Sequence, residues 1–183
     1  MNALMKLIDK GNQLLGHSLH PMIVTLPLGA WAVSVVSDTL GWITGRRSYD
    51  DSARISMAVG LAGATGAVVT GLHDYSAIPT DRQPSHSIAT RHAIGNAVVG
   101  TLFATSFILR LERERRGQSP PVSARLLTLA GGGLMLYTGW LGGKLVEELG
   151  EGVKPVMRQR EGQEHRPIAG RQVSRADSRM AGL

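Results

Sequence analysis

Three histidines, His20, His73 and His92, stand at the edges of long apolar runs, and Asp74 follows His73 directly. Neutral imidazole ligates zinc, copper, iron and haem iron, and a carboxylate adds a ligand or orients a neighbouring imidazole. An ionisable side chain at the edge of hydrocarbon costs about 3 kcal/mol when it is left unpaired, so several at one level need partners. Two cofactor arrangements satisfy that need. A bis-histidine haem b takes imidazoles from two helices, His20 or His73 opposite His92. A compact divalent transition-metal site draws three of His20, His73, Asp74 and His92 to one point. Each histidine alone also has a plain structural use as a partner of a loop carbonyl or helix end. None has the tight spacing of a zinc motif such as H-E-x-x-H.

Other ionisable residues frame this set. His17, His86 and Lys144, with Glu147 and Glu148 beyond it, fall toward the same end of the apolar runs, and His165 lies in the tail. Asp38 sits inside an apolar run near the opposite end, where it pairs with a span-end arginine or belongs to a proton path. Tyr137 is placed to hydrogen-bond a neighbouring helix or a quinone. The absence of cysteine excludes disulfides, thiolate metal sites and Cys nucleophiles. There is no G-x-S-x-G elbow, P-loop or G-x-G-x-x-G after a strand, and nothing in the pattern predicts catalytic activity of its own. Aromatic residues make up 4% of the chain, which argues against a base-stacking nucleic-acid module.

The elements that must hold these residues are membrane spans. The 183 residues carry a formal charge of +6 at zero mean hydropathy, but the charges are nearly absent from four windows and crowded between them. That segregation predicts an all-α, four-helix transmembrane bundle with spans at about 21–43, 55–72, 93–109 and 126–146. Pro21 suits a first helical turn and Pro27 predicts a kink. Gly60, Gly63, Ala64, Ala67 and Gly71 form small-residue stripes that let helices approach closely. Residues 1–15 set Leu4, Met5, Leu7, Ile8, Leu14 and Leu15 opposite Lys6, Asp9, Lys10 and Asn12, an amphipathic helix at the membrane surface. No signal-peptide cleavage pattern interrupts this start, so the first run is expected to stay as a span. The basic tail, 154–183, lacks apolar periodicity and is expected to be disordered.

Four spans place both termini on one side with the histidines. The two loops on the other side are richer in arginine, so the positive-inside rule puts termini and histidines outside the inner (cytoplasmic) membrane. The lipid bilayer is the expected partner, and nucleic acid is not. No internal repeat is evident among the spans, which weighs against a transporter.

Four blocks in order carry a family resemblance. Leu19-His20-Pro21-Met22-Ile23-Val24-Thr25-Leu26-Pro27-Leu28-Gly29 resembles the L-H-P-x-x-V-x-x-P-x-G opening of the DUF2231 family of bacterial membrane proteins. Thr70-Gly71-Leu72-His73-Asp74, His92-Ala93-Ile94-Gly95-Asn96 and Gly139-Trp140-Leu141-Gly142-Gly143-Lys144-Leu145-Val146 are similar to its later blocks. The resemblance spans residues 16–153 and implies a four-helix membrane domain of uncharacterised function. Some relatives are joined to Rieske-type iron–sulfur domains, which implies electron transfer with a redox or Rieske-type partner. This chain has no cysteine to build such a domain. Relatives often carry histidine at the position of Lys144, so a site that used it there is altered here. The expected function is a redox-associated subunit binding haem or metal through His20, His73 and His92; the alternative is a structural or assembly subunit of a larger membrane complex.

Overall fold

The computed structural model describes residues 3–153 and 156–160. Among them every regular element is helical: α1 (Ala3–Leu15), α2 (His20–Ile23), α3 (Thr25–Thr44), α4 (Arg47–Ser76), α5 (Ser85–Glu114), α6 (Val122–Gly143) and a π-helical turn (Lys144–Glu148). Proline places the first break. Pro27 has no N–H to offer the Ile23 carbonyl, and α2 ends at Ile23. Gly45 ends α3 at φ 69°, a left-handed position open to glycine, and its N–H bonds the Gly41 carbonyl at 2.9 Å.

The helices outrun the apolar windows. The polar stretch after span one contracts to Gly45 and Arg46, because Arg47 to Arg54 already belong to α4. The gap expected between the spans at 55–72 and 93–109 shortens to residues 77–84, and α5 begins at Ser85. Charged ends favour continuing the backbone ladder out of an apolar segment over exposing its last amides. Residues 156–160 are helical, and Arg160 bonds Glu151 at 3.2 Å. The remainder of the predicted disordered tail, 154–155 and 161–183, lies outside the described residues.

Among the described residues, three helical stretches are long and apolar enough to cross a membrane: His20–Thr44, Arg47–Ser76 and Ser85–Glu114. Only 28%, 22% and 22% of their most apolar windows are buried inside the protein. Val36, Ile43, Val68, Ile94 and Leu136 all point outward. In water such a surface is an aggregation liability; hydrocarbon is the solvent that suits it. α6, with 22 residues and so about 33 Å long, packs beside α5.

The bundle is two antiparallel pairs, α3 with α4 and α5 with α6, and the second pair repeats the first. Ser34 Oγ donates to the Ala53 carbonyl at 3.0 Å, and Ser106 Oγ to the Ala124 carbonyl at 2.7 Å. Trp31 lies against Gly60 and Phe103 against Gly131; His20 lies against Gly71 and His92 against Gly142. Positions shift by 72 in the leading helix (20 to 92, 31 to 103, 34 to 106, 38 to 110) and by 71 in the following one (53 to 124, 60 to 131, 71 to 142). Ser52-Ala53-Arg54 returns as Ser123-Ala124-Arg125. Equivalent residues also meet each other. Trp31 and Phe103 stack with centroids 4.5 Å apart and planes 3° apart, at the centre of a core with Met57, Val99 and Met135. Such self-contact is the signature of a two-fold relation, so the absence of a repeat expected from the sequence is corrected.

At the arginine-rich end the halves are joined by charge. Asp38, 1% exposed, accepts from Arg110 Nη2 through one oxygen and from Arg125 Nη1 at 2.9 Å through the other. Arg125 Nη2 continues to Asp50 Oδ1 at 2.8 Å, and Arg110 also donates to Ser106 Oγ at 3.2 Å and Thr128 Oγ1 at 3.1 Å. Removing one member of a buried pair leaves uncompensated charge, so Asp38→Ala is expected to cost about 3–5 kcal/mol of stability in denaturant titration of the detergent-solubilised protein. A Cβ at Gly60 would overlap the Trp31 ring, whereas one at Gly131 would meet Phe103 at 3.0 Å and one at Gly133 would meet nothing within 4 Å. Thermal unfolding should therefore rank Gly60→Ala as the most damaging, by about 1–3 kcal/mol, Gly131→Ala as milder and Gly133→Ala as neutral.

Candidate functional site

The opposite end of the bundle holds the histidines. Pro21 starts α2 so that His20 sits on its first turn, over Gly71 of α4, where a larger residue would exclude the ring. Thr70 Oγ1 donates to the Gly66 carbonyl at 2.9 Å and therefore accepts from His20 Nδ1–H at 3.2 Å. This fixes the tautomer and leaves Nε2 with its lone pair. His92, in the equivalent place on α5, lies over Gly142. Its Nδ1–H donates to the Thr138 carbonyl at 2.8 Å, and its Nε2 accepts from Asn96 Nδ2 at 3.1 Å. Asn96 is held by Thr138 Oγ1, which donates to Asn96 Oδ1 at 3.0 Å. His20 and His92 are close enough to interact electrostatically, and His20 interacts likewise with Asp74.

His73 has a different setting. Its Nε2 meets Asp9 Oδ1 at 2.9 Å and its Nδ1 meets Asp74 Oδ1 at 3.4 Å. Asp74 Oδ2 accepts from Ser18 Oγ at 2.5 Å, and the same Ser18 Oγ accepts from the His20 backbone N–H at 3.1 Å. Asp9 comes from α1, so His73 is the bond that ties the amphipathic helix to α4. Asn12 Oδ1 adds a second tie by accepting from the Leu19 N–H at 2.9 Å.

The expected compact metal site is not assembled. Among the described residues no three or more His, Asp or Glu side chains are placed to hold a metal ion. The physical reason is that both nitrogens of His73 already face carboxylates, and Asp74 is committed to Ser18 and His73. His20 and His92 are equivalent residues of the two halves. The equivalent of His73 is Lys144, which pairs with Glu148 at 3.3 Å and lies over the Trp140 ring at 5.2 Å. His17 is exposed and donates Nδ1–H locally to the Ser18 carbonyl at 2.9 Å, and His86 meets the Tyr75 hydroxyl at 3.2 Å.

Asp38 makes the arginine pairing anticipated for it. Along the axis, the stacked Trp31 and Phe103 lie between Asp38 and the imidazoles, so the two polar ends are separated by a dry aromatic layer. The sequence reading missed Asp9, Ser18, Thr70, Asn96 and Thr138. The repeated Ser-Ala-Arg and the paired His and Gly positions were the available signal.

His73→Ala should release α1. Limited proteolysis at Lys6 and Lys10 is expected to speed up by roughly an order of magnitude while cleavage elsewhere is unchanged.

The family model described as a predicted membrane protein, DUF2231, matches residues 16–155. No curated protein and no solved structure matches the chain.

Proposed function

The chain belongs to the DUF2231 family of predicted membrane proteins, and from that premise we propose a redox-associated membrane subunit that holds haem b or a transition-metal ion between His20 and His92. The observation that carries this reading is the matched anchoring of the two rings. Each imidazole donates Nδ1–H to its own half of the bundle and turns Nε2 into the acceptor, at 3.2 Å to Thr70 and 2.8 Å to the Thr138 carbonyl. An Nδ1–H bond to a carbonyl or hydroxyl is how a protein orients an imidazole and raises its basicity for ligation through Nε2. Two such rings on equivalent helices would hold a b-type haem or a transition-metal ion through Nε2.

The residues have separate roles. His20 and His92 would hold the group; Thr70 and Thr138 set the tautomers; Asn96 occupies His92 Nε2 and would have to give up that bond to a ligand. His73, Asp9, Asp74 and Ser18 hold α1 and the turn before α2 in place. A bound haem or metal ion supplies one-electron chemistry at this end of the protein, and a redox or Rieske-type protein, or a larger membrane complex, is the partner class that would use it. In this reading α6 is the fourth span, and both termini and the histidines face outside the inner membrane.

The alternative, a structural or assembly subunit with no cofactor, is favoured by the Asn96 bond that already satisfies His92 Nε2. Absorbance spectra of the detergent-purified protein, oxidised and dithionite-reduced, with elemental analysis, separate the two. A Soret band with sharp α-bands on reduction, or a stoichiometric metal, is expected. It should be lost in His20→Ala and in His92→Ala and kept in His73→Ala. A colourless, metal-free, folded protein, or a cofactor indifferent to both substitutions, overturns the proposal in favour of the structural subunit.

A further inference from the structure

The arginine-rich end carries a second site, independent of the histidines. The first turns of α4, the last turn of α5 and the loop before α6 enclose a cleft of about 210 Å³. That is smaller than the pockets of drug-sized ligands and cofactors, and of a size for a small polar group. Its walls carry both signs of charge. Arg110 lines it, and the guanidinium that binds Asp38 through Nη2 has a buried Nη1 with no hydrogen-bond partner among the described residues. The side chain is 2% exposed, so the unmet donor is deep in the protein. Arg47 lines the same cleft; its Nη2 donates to the Gly117 carbonyl at 3.4 Å, and it pairs with no carboxylate among the described residues.

Three carboxylates line the same cleft: Asp50, which Arg125 holds at 2.8 Å, and the more exposed Asp51 and Glu114. Arg54 takes one oxygen of Glu114 at 3.1 Å and approaches Asp51 at 3.8 Å, and both carboxylates remain largely open to solvent. A simple anion attracted by Arg47 and Arg110 meets repulsion from the two carboxylates. A simple cation meets the reverse. A ligand that carries a phosphate and a primary ammonium a few bonds apart satisfies both walls, with guanidinium–phosphate bonds on one side and ammonium–carboxylate bonds on the other.

The position of the cleft identifies the source. It lies where α4 enters its apolar run and α5 leaves its own, which in a bundle whose spans cross a bilayer is the level of the lipid headgroups. We propose that this cleft binds the phosphoethanolamine headgroup of a membrane lipid, with Arg110 and Arg47 on the phosphate and Asp51 and Glu114 on the ammonium.

The test is lipid retention by the intact, delipidated protein in detergent. Equimolar phosphatidylethanolamine, phosphatidylcholine and phosphatidylglycerol are offered, and bound lipid is read by native mass spectrometry. Phosphatidylethanolamine should be retained about tenfold over phosphatidylcholine, whose quaternary ammonium has no N–H to donate. The preference should collapse in Arg47→Ala and in Glu114→Gln, two exposed-wall changes that spare the Asp38 cluster, and persist in His20→Ala. Equal retention of the ethanolamine and choline lipids overturns the proposal. So does a preference unchanged in both variants, or a stronger preference for phosphatidylglycerol. Thermal shifts distinguish the sources: stabilisation by the lipid but not by free phosphoethanolamine supports a membrane ligand. Stabilisation by free phosphoethanolamine alone overturns that assignment, and an equal effect of inorganic phosphate reduces the site to an anion site.

Discussion

One carboxylate sets the arrangement of this bundle. Asp38 lies at the seam of the two helix pairs, 1% exposed, with a guanidinium on each oxygen. A buried charge in a membrane helix is tolerable only when its partners are in place, so the seam has one low-energy register. Sliding α5 against α3 by one turn would carry Arg110 about 5 Å from Asp38 and leave two charges in a dry core. Ser106 of α5 and Thr128 and Ala124 of α6 bond around Arg110 and reinforce that register between the two helices. Dispersion between small-residue faces holds membrane helices together without fixing their register so sharply.

The register then reaches the far end. With Asp38 and Arg110 level, Trp31 and Phe103 meet face to face, and three turns further His20 and His92 arrive at one depth. Glycines complete the placement by letting each ring lie on the neighbouring helix: Gly60 and Gly131 under the aromatics, Gly71 and Gly142 under the imidazoles. The two polar ends are thus one construction, separated by an apolar middle, and each histidine inherits its setting from a charge pair on the opposite side of the bundle.

Much of this was legible from the residue order. The apolar windows, the proline break before α3, the amphipathic α1 and the pairing of Asp38 with an arginine follow from local composition and from the cost of buried charge. The helix ends were less legible, because hydropathy marks where apolar side chains stop and the backbone ladder continues through Arg47 to Arg54 and through Arg110 to Glu114. The two-fold relation was hidden for a different reason. Its halves share form at a few contact positions, where Trp31 answers to Phe103 and Asp38 to Arg110, while the lipid-facing residues between them vary freely. The histidine cluster read as five residues at one face; three-dimensional structure divides it into an equivalent pair, a tether for α1, and peripheral rings bonded locally. That division depends on acceptors such as the Thr138 carbonyl and the Thr70 hydroxyl, which no spacing rule marks.

The unlike charges at equivalent positions decide how the two halves can pair. Two identical two-helix units packed about a two-fold axis would have set like against like at this depth, carboxylate on carboxylate or guanidinium on guanidinium. Within one chain the two positions carry unlike side chains, and Asp38 pairs with Arg110. Each half is now a poor partner for its own copy and a good one for its sister. The two-fold relation sets the shape of the bundle, and the unlike charges at this pair of positions let the two halves satisfy each other within one chain.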